Sequence, residues 1–389
     1  MEFLIPREPR LRWSMLYPRS SKRECQPLRH GQRTYHVFWA RNAIYHGLKA
    51  LGVSPGDTVL VPALHCATAV ESILRYGARV KFYNIHRDCS PDFCDIQAKI
   101  DKKSRAVLAI HYFGLPQPIR RFQEMCEDHH LYLIEDCAHV LTAEAGDCAL
   151  GTYGDISVFS WRKFLPLYDG GHLVINNPNL HLDVSWEKGG FLFFLKVTKN
   201  ILDKLIDDSS GKAISAMSHL LRFPYSIGRG LLSTNESQPR AFTINNYGLD
   251  FDPSVVDLEM SALSRYILRN VDIPAIVEKR RLNYAYLLNA LKWIPRITAA
   301  FPDLPENVCP WVFPVFAHGQ QNFHVTLRSK GIPAFTWGGV VHPELDLEEF
   351  PEADFLYQNL VFLPIHQSIS DLNLQTILEV IAKVLAREN

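Results

Sequence analysis

Residues Glu135 to Gly171 read EDCAHVLTAEAGDCALGTYGDISVFSWRKFLPLYDGG, and this stretch decides the fold. It opens inside an apolar run, LYLIEDCAH, which predicts that Asp136 lies at the carboxyl end of a buried strand. A second apolar run, DISVFSW, carries Ser160, and Lys163 follows it directly. Ligands of open α/β sheets bind outside the carboxyl ends of the strands, so these side chains are predicted to meet at one edge.

A buried acid and a lysine at the ends of neighbouring strands suit pyridoxal phosphate. The carboxylate of Asp136 would keep the pyridine nitrogen protonated, so that the ring withdraws electrons. Lys163 would hold the aldehyde as a Schiff base. No other lysine occurs between Lys103 and Lys188, which makes Lys163 the local candidate.

The composition is that of an ordinary globular enzyme, with 389 residues, 47% apolar and 21% charged. Forty-one basic and 41 acidic side chains cancel, which argues against a nucleic-acid partner. The 16 histidines include no HExxH pair, so we predict no metal site. Eight cysteines without a CxxC pair are expected to be reduced thiols of a cytoplasmic protein.

The most apolar segment is GGFLFFLKVTKNILDKLI, which begins at Gly189. Its three lysines and one aspartate exclude a membrane span, and we expect no transmembrane segment. Its apolar residues recur at helical spacing, which favours packing on a partner subunit over peripheral membrane contact by residues 189–206.

Strand-like and helical segments alternate over residues 36–178, and this pattern predicts a doubly wound, mostly parallel sheet. We predict an irregular N-terminal arm at residues 1–30 and a large α/β domain that binds the cofactor at residues 31–250. A helical insert interrupts that domain at about 180–245. Residues 251–389 are predicted to form a long linking helix, interrupted at Pro274, and a small α+β C-terminal domain.

Several segments together resemble the DegT/StrS-type sugar aminotransferases, which are fold-type I enzymes dependent on pyridoxal phosphate. The resemblance runs from about Ala40 to the C-terminus, with the 180–245 stretch poorly matched. The segments stand in the family's order: ALGVSPGDTVLVPAL, YGARVKFYNI, HYFGLP, LIEDCAH, GTYGDISVFS, DGGHLVINN and FLPIHQSISD.

The resemblance implies a role for each matched residue. Asp136 corresponds to the partner of the pyridine nitrogen, and His139 occupies the place of a glutamine near the ring hydroxyl. Lys163 corresponds to the catalytic lysine, although it follows Ser160 by three residues where the family usually has five. The glycine-rich loop after that lysine is replaced here by FLPLYD.

The resemblance also implies contacts to the cofactor phosphate and to substrate. Ser160 matches the serine that binds the phosphate, and Arg41 and Asn42 stand where a Thr-Ala pair opens the first helix. The aromatic residue that stacks on the ring falls near Cys66, and His65 beside it is our candidate for stacking. Asp250 stands where the family has an asparagine that reaches the neighbouring subunit's phosphate. The C-terminal loop that approaches substrate corresponds here to Trp337 and His342.

The resemblance therefore implies an aminotransferase that moves an amino group from L-glutamate to a nucleotide-linked keto-sugar, in a homodimer with shared active sites. Two alternatives share the fold. One is a pyridoxal phosphate enzyme with a different ketone or reaction, and the other is a non-catalytic relative that binds a sugar nucleotide or a partner protein. An unrelated nucleotide-binding module lacks support, because no GxGxxG or GxxxxGK[ST] follows a strand.

Overall fold

The computed structural model describes residues 4–17, 32–146, 148–204, 251–337 and 341–386. Strands occur in three sheets within these ranges. They are β1 (Arg33–Val37), β2 (Thr58–Pro62), β3 (Arg79–Tyr83), β4 (Ser104–Ile110), β5 (Tyr132–Cys137), β6 (Glu144–Ala145), β7 (Cys148–Ala149), β8 (Ile156–Ser160), β9 (Gly171–Ile175), β10 (Ile297–Ala299), β11 (Phe313–Ala317) and β12 (Leu360–Leu363).

Helices alternate with these strands in the first half of the chain and dominate the second half. They are α1 (Ala40–Ala50), α2 (Ala67–Tyr76), α3 (Phe93–Lys99), α4 (Ile119–Asp128), α5 (Phe191–Asp203), α6 (Ala262–Asn270), α7 (Ile273–Leu291), α8 (Phe323–Ser329), α9 (Pro351–Asn359) and α10 (Asp371–Ala386).

The large sheet has the strand order β1-β9-β8-β5-β4-β2-β3. Strands β8, β5, β4, β2 and β3 run parallel, whereas β9 and β1 add an antiparallel edge. All residues of β2 and β8 are buried, as expected for a parallel sheet with both faces covered by helices. The predicted doubly wound, mostly parallel α/β architecture is thereby confirmed.

Helix α1 packs closely against this sheet because it carries a glycine at the contact. A Cβ on Gly47 would lie 2.3 Å from Cδ1 of Ile156 in β8. A second close approach occurs at Gly171, where a Cβ would lie 2.2 Å from the backbone carbon of Trp39. Gly171 holds the amino end of α1 against the end of the sheet where β8 terminates, and Gly47 lets the carboxyl-terminal half of α1 approach the start of β8.

A smaller antiparallel sheet, β10-β11-β12, lies in the second half of the chain and packs with α7, α8 and α10. Its core is separate from that of the large sheet and includes Leu287, Phe313, Leu363 and Ile377, which are all buried. Ile5 of the N-terminal arm joins this second core.

The described part of the arm, residues 4–17, is tied down along its length and contains one short 3-10 turn, Trp13–Leu16. The N–H of Leu4 donates to the carbonyl of Gly331 at 2.9 Å, and the N–H of Leu11 donates to the carbonyl of Lys204 at 2.9 Å. The N–H of Arg10 donates to Ser368 Oγ at 2.9 Å. The arm therefore bridges α5 and the C-terminal segments.

The prediction of a single long helix from about Pro253, interrupted at Pro274, is wrong. The structure has a 3-10 turn at Pro253–Val255 and then two helices, α6 and α7. Asp272 caps α7 by accepting the N–H of Ala275 at 3.1 Å, and Pro274 lies in the first turn. Proline is tolerated at that position because the N–H it lacks has no intrahelical partner there, so Pro274 begins a helix.

The Phe-rich segment after Gly190 forms α5, as its spacing predicts, with Phe191 and Phe194 exposed and Val197 and Ile201 buried. Its continuation over residues 205–245 lies outside the described residues. Among the described helices, none combines the length and the apolar character that crossing a membrane requires.

Candidate active site

A cavity opens at the edge of the large sheet where the parallel strands end, and we call it the edge cavity. It lies where the carboxyl ends of β4, β5 and β8 meet the amino ends of α1 and α2. The lining residues are Trp39, Ala40, Arg41, Ile44, Cys66, Thr68, Ala69, Ile110, Asp136, Ala138, His139, Ser160, Arg162, Lys163 and Trp337. Six of the nine residues singled out from the sequence are therefore brought together here.

Asp136 lies near the end of β5, and 7% of its surface is exposed. Its Oδ1 accepts the N–H of Ala138 at 2.8 Å, which fixes the orientation of the carboxylate. Burial raises the pKa of Asp136, while the nearby charge of Lys163 and the hydrogen bond from Ala138 partly offset that rise. A cationic group in the cavity would therefore stabilise the ionised form of this carboxylate.

Lys163 closes the short 3-10 turn Trp161–Lys163 that follows β8. The turn is anchored by the N–H of Trp161, which donates to the carbonyl of Gly170 at 2.8 Å. Burial lowers the pKa of Lys163, although the charge of Asp136 opposes this effect. Lowering the pKa favours the neutral amine, which is the form that reacts with an aldehyde.

His139 is buried beside these two residues and is held by stacked rings. Its ring lies 4.0 Å from that of Trp311 at an interplanar angle of 20°, and 5.3 Å from the ring of Trp337. Burial and the charge of Lys163 lower its pKa well below the usual histidine value. Since Nδ1 accepts the N–H of Phe113 at 3.3 Å, the neutral ring is assigned a proton on Nε2 and presents a donor there.

The amino end of α1 and the end of β8 form the part of the cavity suited to an anion. Ser160, the last residue of β8, is paired with Gly171 and is buried. Arg41 lies in the first turn of α1, with its guanidinium 4.8 Å from the centre of the Trp39 ring. Helix amino ends attract anions through their N–H groups and dipole, and Arg41 adds a full positive charge.

Asn42 does not line the cavity, although Arg41 beside it does. Its side-chain amide donates to the carbonyls of Val255 and Val256, at 2.6 and 3.1 Å. Its backbone N–H donates to the carbonyl of Trp39 at 3.0 Å. The structure therefore uses the side chain of Asn42 to fasten the segment before α6, and the contact to a cofactor phosphate expected for this residue stays a prediction.

His65 is also placed away from the cavity. Its ring is fully buried and stacks on Phe82 at 5.1 Å with an interplanar angle of 7°. Its Nδ1 donates to the carbonyl of Pro62 at 3.0 Å. Burial lowers its pKa to about 4. His65 does not line the edge cavity, whereas its neighbour Cys66 does, and the expected stacking of His65 on a bound ring stays a prediction.

The two residues predicted to approach substrate are separated in the structure. Trp337 lines the edge cavity, whereas His342 is buried elsewhere and places Nε2 3.3 Å from a carboxylate oxygen of Glu71 in α2. His342 Nδ1 accepts the N–H of Glu344 at 3.1 Å, so the ring fastens its loop to α2. Asp250 lies outside the described residues.

Trp311 is a site residue that sequence reasoning missed. Besides stacking on His139, its ring centre lies 4.8 Å from Lys163 Nζ, in a cation–π contact. Trp311 lies two residues before the start of β11 and about 150 residues after Lys163, so no local pattern connected the two. Cys66, Thr68 and Arg162 also line the cavity and had no assigned contact there.

The residues present fit pyridoxal phosphate by the chemistry of their donor set. A buried carboxylate, a lysine amine, a neutral imidazole donor and an anion site at a helix amino end surround one cavity. A mostly parallel sheet with the acid after one strand and the lysine after the next defines the fold-type I transferases dependent on pyridoxal phosphate.

Residues 38–186 match the model of the DegT/DnrJ/EryC1/StrS aminotransferase family. Among curated relatives, a GDP-perosamine synthase from Vibrio cholerae is 34% identical over 144 residues, which cover 36% of this chain and 39% of that protein. A dTDP-4-dehydro-2,3,6-trideoxy-D-glucose 4-aminotransferase from Saccharopolyspora spinosa is 30% identical over 175 residues, 43% of this chain and 46% of that protein. The chain thus matches less than half the length of these relatives.

Solved structures are similar over a much longer part of the chain. An aminotransferase of pseudoaminic acid biosynthesis from Helicobacter pylori superposes with a TM-score of 0.63 and 16% identity. The match covers 99% of this chain and 100% of the Helicobacter pylori chain. An aminotransferase from Streptoalloteichus hindustanus covers 91% of this chain and 86% of its own, with a TM-score of 0.62 and 20% identity. At these identities the likeness shows the fold alone, including its C-terminal half.

Proposed function

We propose that the chain is a pyridoxal phosphate-dependent aminotransferase that moves an amino group from L-glutamate to a nucleotide-linked keto-sugar. The observation that carries the proposal is that Asp136 and Lys163 line one cavity at the carboxyl edge of the sheet. Each has its pKa moved by burial toward the neutral form, a common property of catalytic groups.

Pyridoxal phosphate, when bound, supplies an electron-withdrawing ring that stabilises the negative charge formed as the donor loses its α-proton. Asp136 would hold the proton on the pyridine nitrogen. His139 would donate from Nε2 to the ring oxygen, and Ser160 and Arg41 would bind the phosphate at the amino end of α1.

Lys163 has two tasks in this proposal. Its Nζ would carry the cofactor before the donor arrives and would then move a proton between the α-carbon of the donor and C4′ of the cofactor. The lowered pKa suits the second task, because a neutral amine can accept the α-proton. The ring of Trp311 below Nζ stabilises the protonated amine that results.

The acceptor class is supported by relatives that match 36–43% of the chain. The names of the Vibrio cholerae and Saccharopolyspora spinosa proteins refer to GDP- and dTDP-linked sugars, respectively. A protein from Acidithiobacillus ferrooxidans, 30% identical over 143 residues, is named as an aminotransferase of a UDP-linked sugar. Since three different nucleotides occur among these names, we propose the nucleotide-linked class and no particular base.

We further propose a cytoplasmic homodimer in which each site receives residues from the neighbouring subunit. The family resemblance supports this arrangement, and the exposed phenylalanines Phe191 and Phe194 of α5 offer apolar surface for a subunit contact.

The test is to purify the protein with pyridoxal phosphate and record its visible absorption before and after L-glutamate is added. We expect an absorption band that L-glutamate bleaches, and no such band from Lys163→Ala. Lys103→Ala is the matched control, because Lys103 is an exposed lysine at the opposite edge of the sheet. A band that survives in Lys163→Ala would contradict the assignment of the lysine. Absence of any band in the wild-type protein would remove the proposed activity altogether.

A further inference from the structure

A second cavity adjoins the edge cavity, and we call it the basic cavity. It has a volume of about 320 Å³, within the range of roughly 300–1,000 Å³ typical of small-molecule sites. Arg162 and Lys163 line both cavities, so a ligand in the basic cavity would lie next to the reactive amine. The remaining walls come from the N-terminal arm, α7, α8 and the segment after β12.

Positive charge dominates the lining of this cavity. The basic side chains are Arg7, Arg162, Lys163, Lys204, Arg280 and Arg328. Among the described lining residues Glu8 is the single carboxylate, and it already pairs with Lys204 at 2.8 Å. His366 adds no charge at neutral pH, because burial lowers its pKa to about 3.

Arg280 is the most buried of these cations, with no exposed surface. Its guanidinium donates to the side-chain oxygen of Gln367 at 3.0 Å and to the carbonyl of Trp311 at 2.8 Å, and further bonds reach other carbonyls. None of these acceptors is a carboxylate, so its positive charge has no counter-ion among the hydrogen-bond partners described for it. Buried charges are costly unless they are paired, and an anion in the cavity would relieve that cost.

We infer that the basic cavity is the subsite for the diphosphate of the substrate, with the sugar extending from it toward Lys163. The inference rests on the proposed function, since it places one part of a nucleotide-linked keto-sugar. A diphosphate carries several negative charges along its length and matches cations spread from the arm to α8. The carboxylate of an amino donor needs only one such partner.

The subsite is tested by calorimetric titration of the protein, prepared with pyridoxal phosphate, with UDP, GDP and dTDP in turn. Arg7→Gln removes an exposed cation from the arm, and we expect affinity for the diphosphates to fall by about three- to tenfold. Glu8→Gln removes the carboxylate and is expected to raise affinity by a similar factor. Arg105→Gln is the matched control, because Arg105 is exposed near the amino end of β4, away from the cavity.

Equal affinities in all three variants would overturn the inference, as would an affinity that added salt leaves unchanged. A weaker response to L-glutamate in Arg7→Gln, with diphosphate binding intact, would also overturn it and assign the cavity to the donor. The absorption band at Lys163 is recorded on the same samples. If the band is present but the variants leave diphosphate binding unaltered, the proposed subsite fails while the proposed activity stands. If the band is absent, the proposed activity itself fails.

Discussion

Glu135 and Asp136 are adjacent acids at the end of one strand, yet their surroundings are opposite. Glu135 is fully buried and accepts hydrogen bonds from five groups. They are the Nε2 of His111, the N–H groups of Gly151, Tyr153 and Gly154, and the hydroxyl of Ser157. Asp136 faces the edge cavity, and the described residues supply its carboxylate with one hydrogen bond, from Ala138.

The pKa shifts follow this difference. Burial alone would raise the pKa of Glu135, but the hydrogen bond and charge of His111 together with the backbone N–H groups outweigh it, and the pKa is lowered. The pKa of Asp136 is raised, because burial is only partly offset. A buried acid with a full set of donors builds the fold, whereas one with few donors is prepared for a partner that arrives later.

The largest expected effect is on activity in Asp136→Asn. An amide cannot hold a proton on the pyridine nitrogen, so kcat should fall by at least about 100-fold. Stability should not fall, because the variant removes an acid whose ionised form is disfavoured in the fold. Steady-state kinetics and thermal unfolding of the same preparation measure both. If Asp136→Asn lost activity only because it unfolds, Asp136 would be a structural acid like Glu135, and the proposed difference between the two acids would be wrong.

Glu135→Gln should show the reverse pattern, with a loss of about 2–3 kcal/mol in unfolding free energy, because N–H donors would face an amide N–H group. The folded-state pKa of Glu135 is lowered, so its stabilisation is present above about pH 4.3, the unfolded value, and is lost as pH falls through the folded value. The difference from wild type should therefore shrink in acid. Denaturant unfolding at neutral and acidic pH measures it, and an unchanged difference would contradict the assigned charge.

The pH dependence of cofactor attachment should change when Asp136 is replaced and should not change when Glu135 is replaced. Burial lowers the pKa of Lys163, so the rate of cofactor attachment should rise with pH around a midpoint below the ordinary lysine value of about 10.4. The charge of Asp136 opposes that shift, so Asp136→Asn should move the midpoint to still lower pH. Glu135→Gln should leave it in place. Stopped-flow absorption gives the profiles, and identical midpoints in all three proteins would refute the coupling.

The smallest effect is expected for His139→Gln. Burial keeps the imidazole neutral, and glutamine supplies a neutral donor too, so the pH profile of activity should not change. The lost stacking on Trp311 should lower stability by about 1 kcal/mol. An ionisation near pH 6.5 in the wild-type profile that disappears in the variant would show that His139 titrates.

The architecture was accessible from the sequence because its signals are local. The apolar run that ends in Asp136 and the run before Lys163 each predict a buried strand, and parallel strands must end at one edge. The helices and turns predicted between successive strands left few alternative topologies for the sheet. Of the residues that the resemblance singled out, Arg41, His139, Ser160 and Trp337 line the edge cavity, and their contacts with cofactor and substrate stay predictions.

The predictions for Asn42 and His65 depended on which of two adjacent residues faces the cavity. Asn42 and Arg41 are adjacent on α1 and point in different directions, as do His65 and Cys66 before α2. Trp311 depends on contacts between segments far apart in the chain, and no pattern of neighbouring residues reports such a contact. Sequence periodicity thus predicts elements well and side-chain direction in loops and first turns poorly.

The tryptophans around the two cavities have an optical consequence. Of seven tryptophans in the chain, Trp39 and Trp337 line the edge cavity and Trp311 lines the basic cavity. An absorbing ligand beside them would accept their excitation energy and dim the intrinsic fluorescence. The protein therefore carries its own emission reporter for an absorbing ligand in the edge cavity, without a label and without turnover.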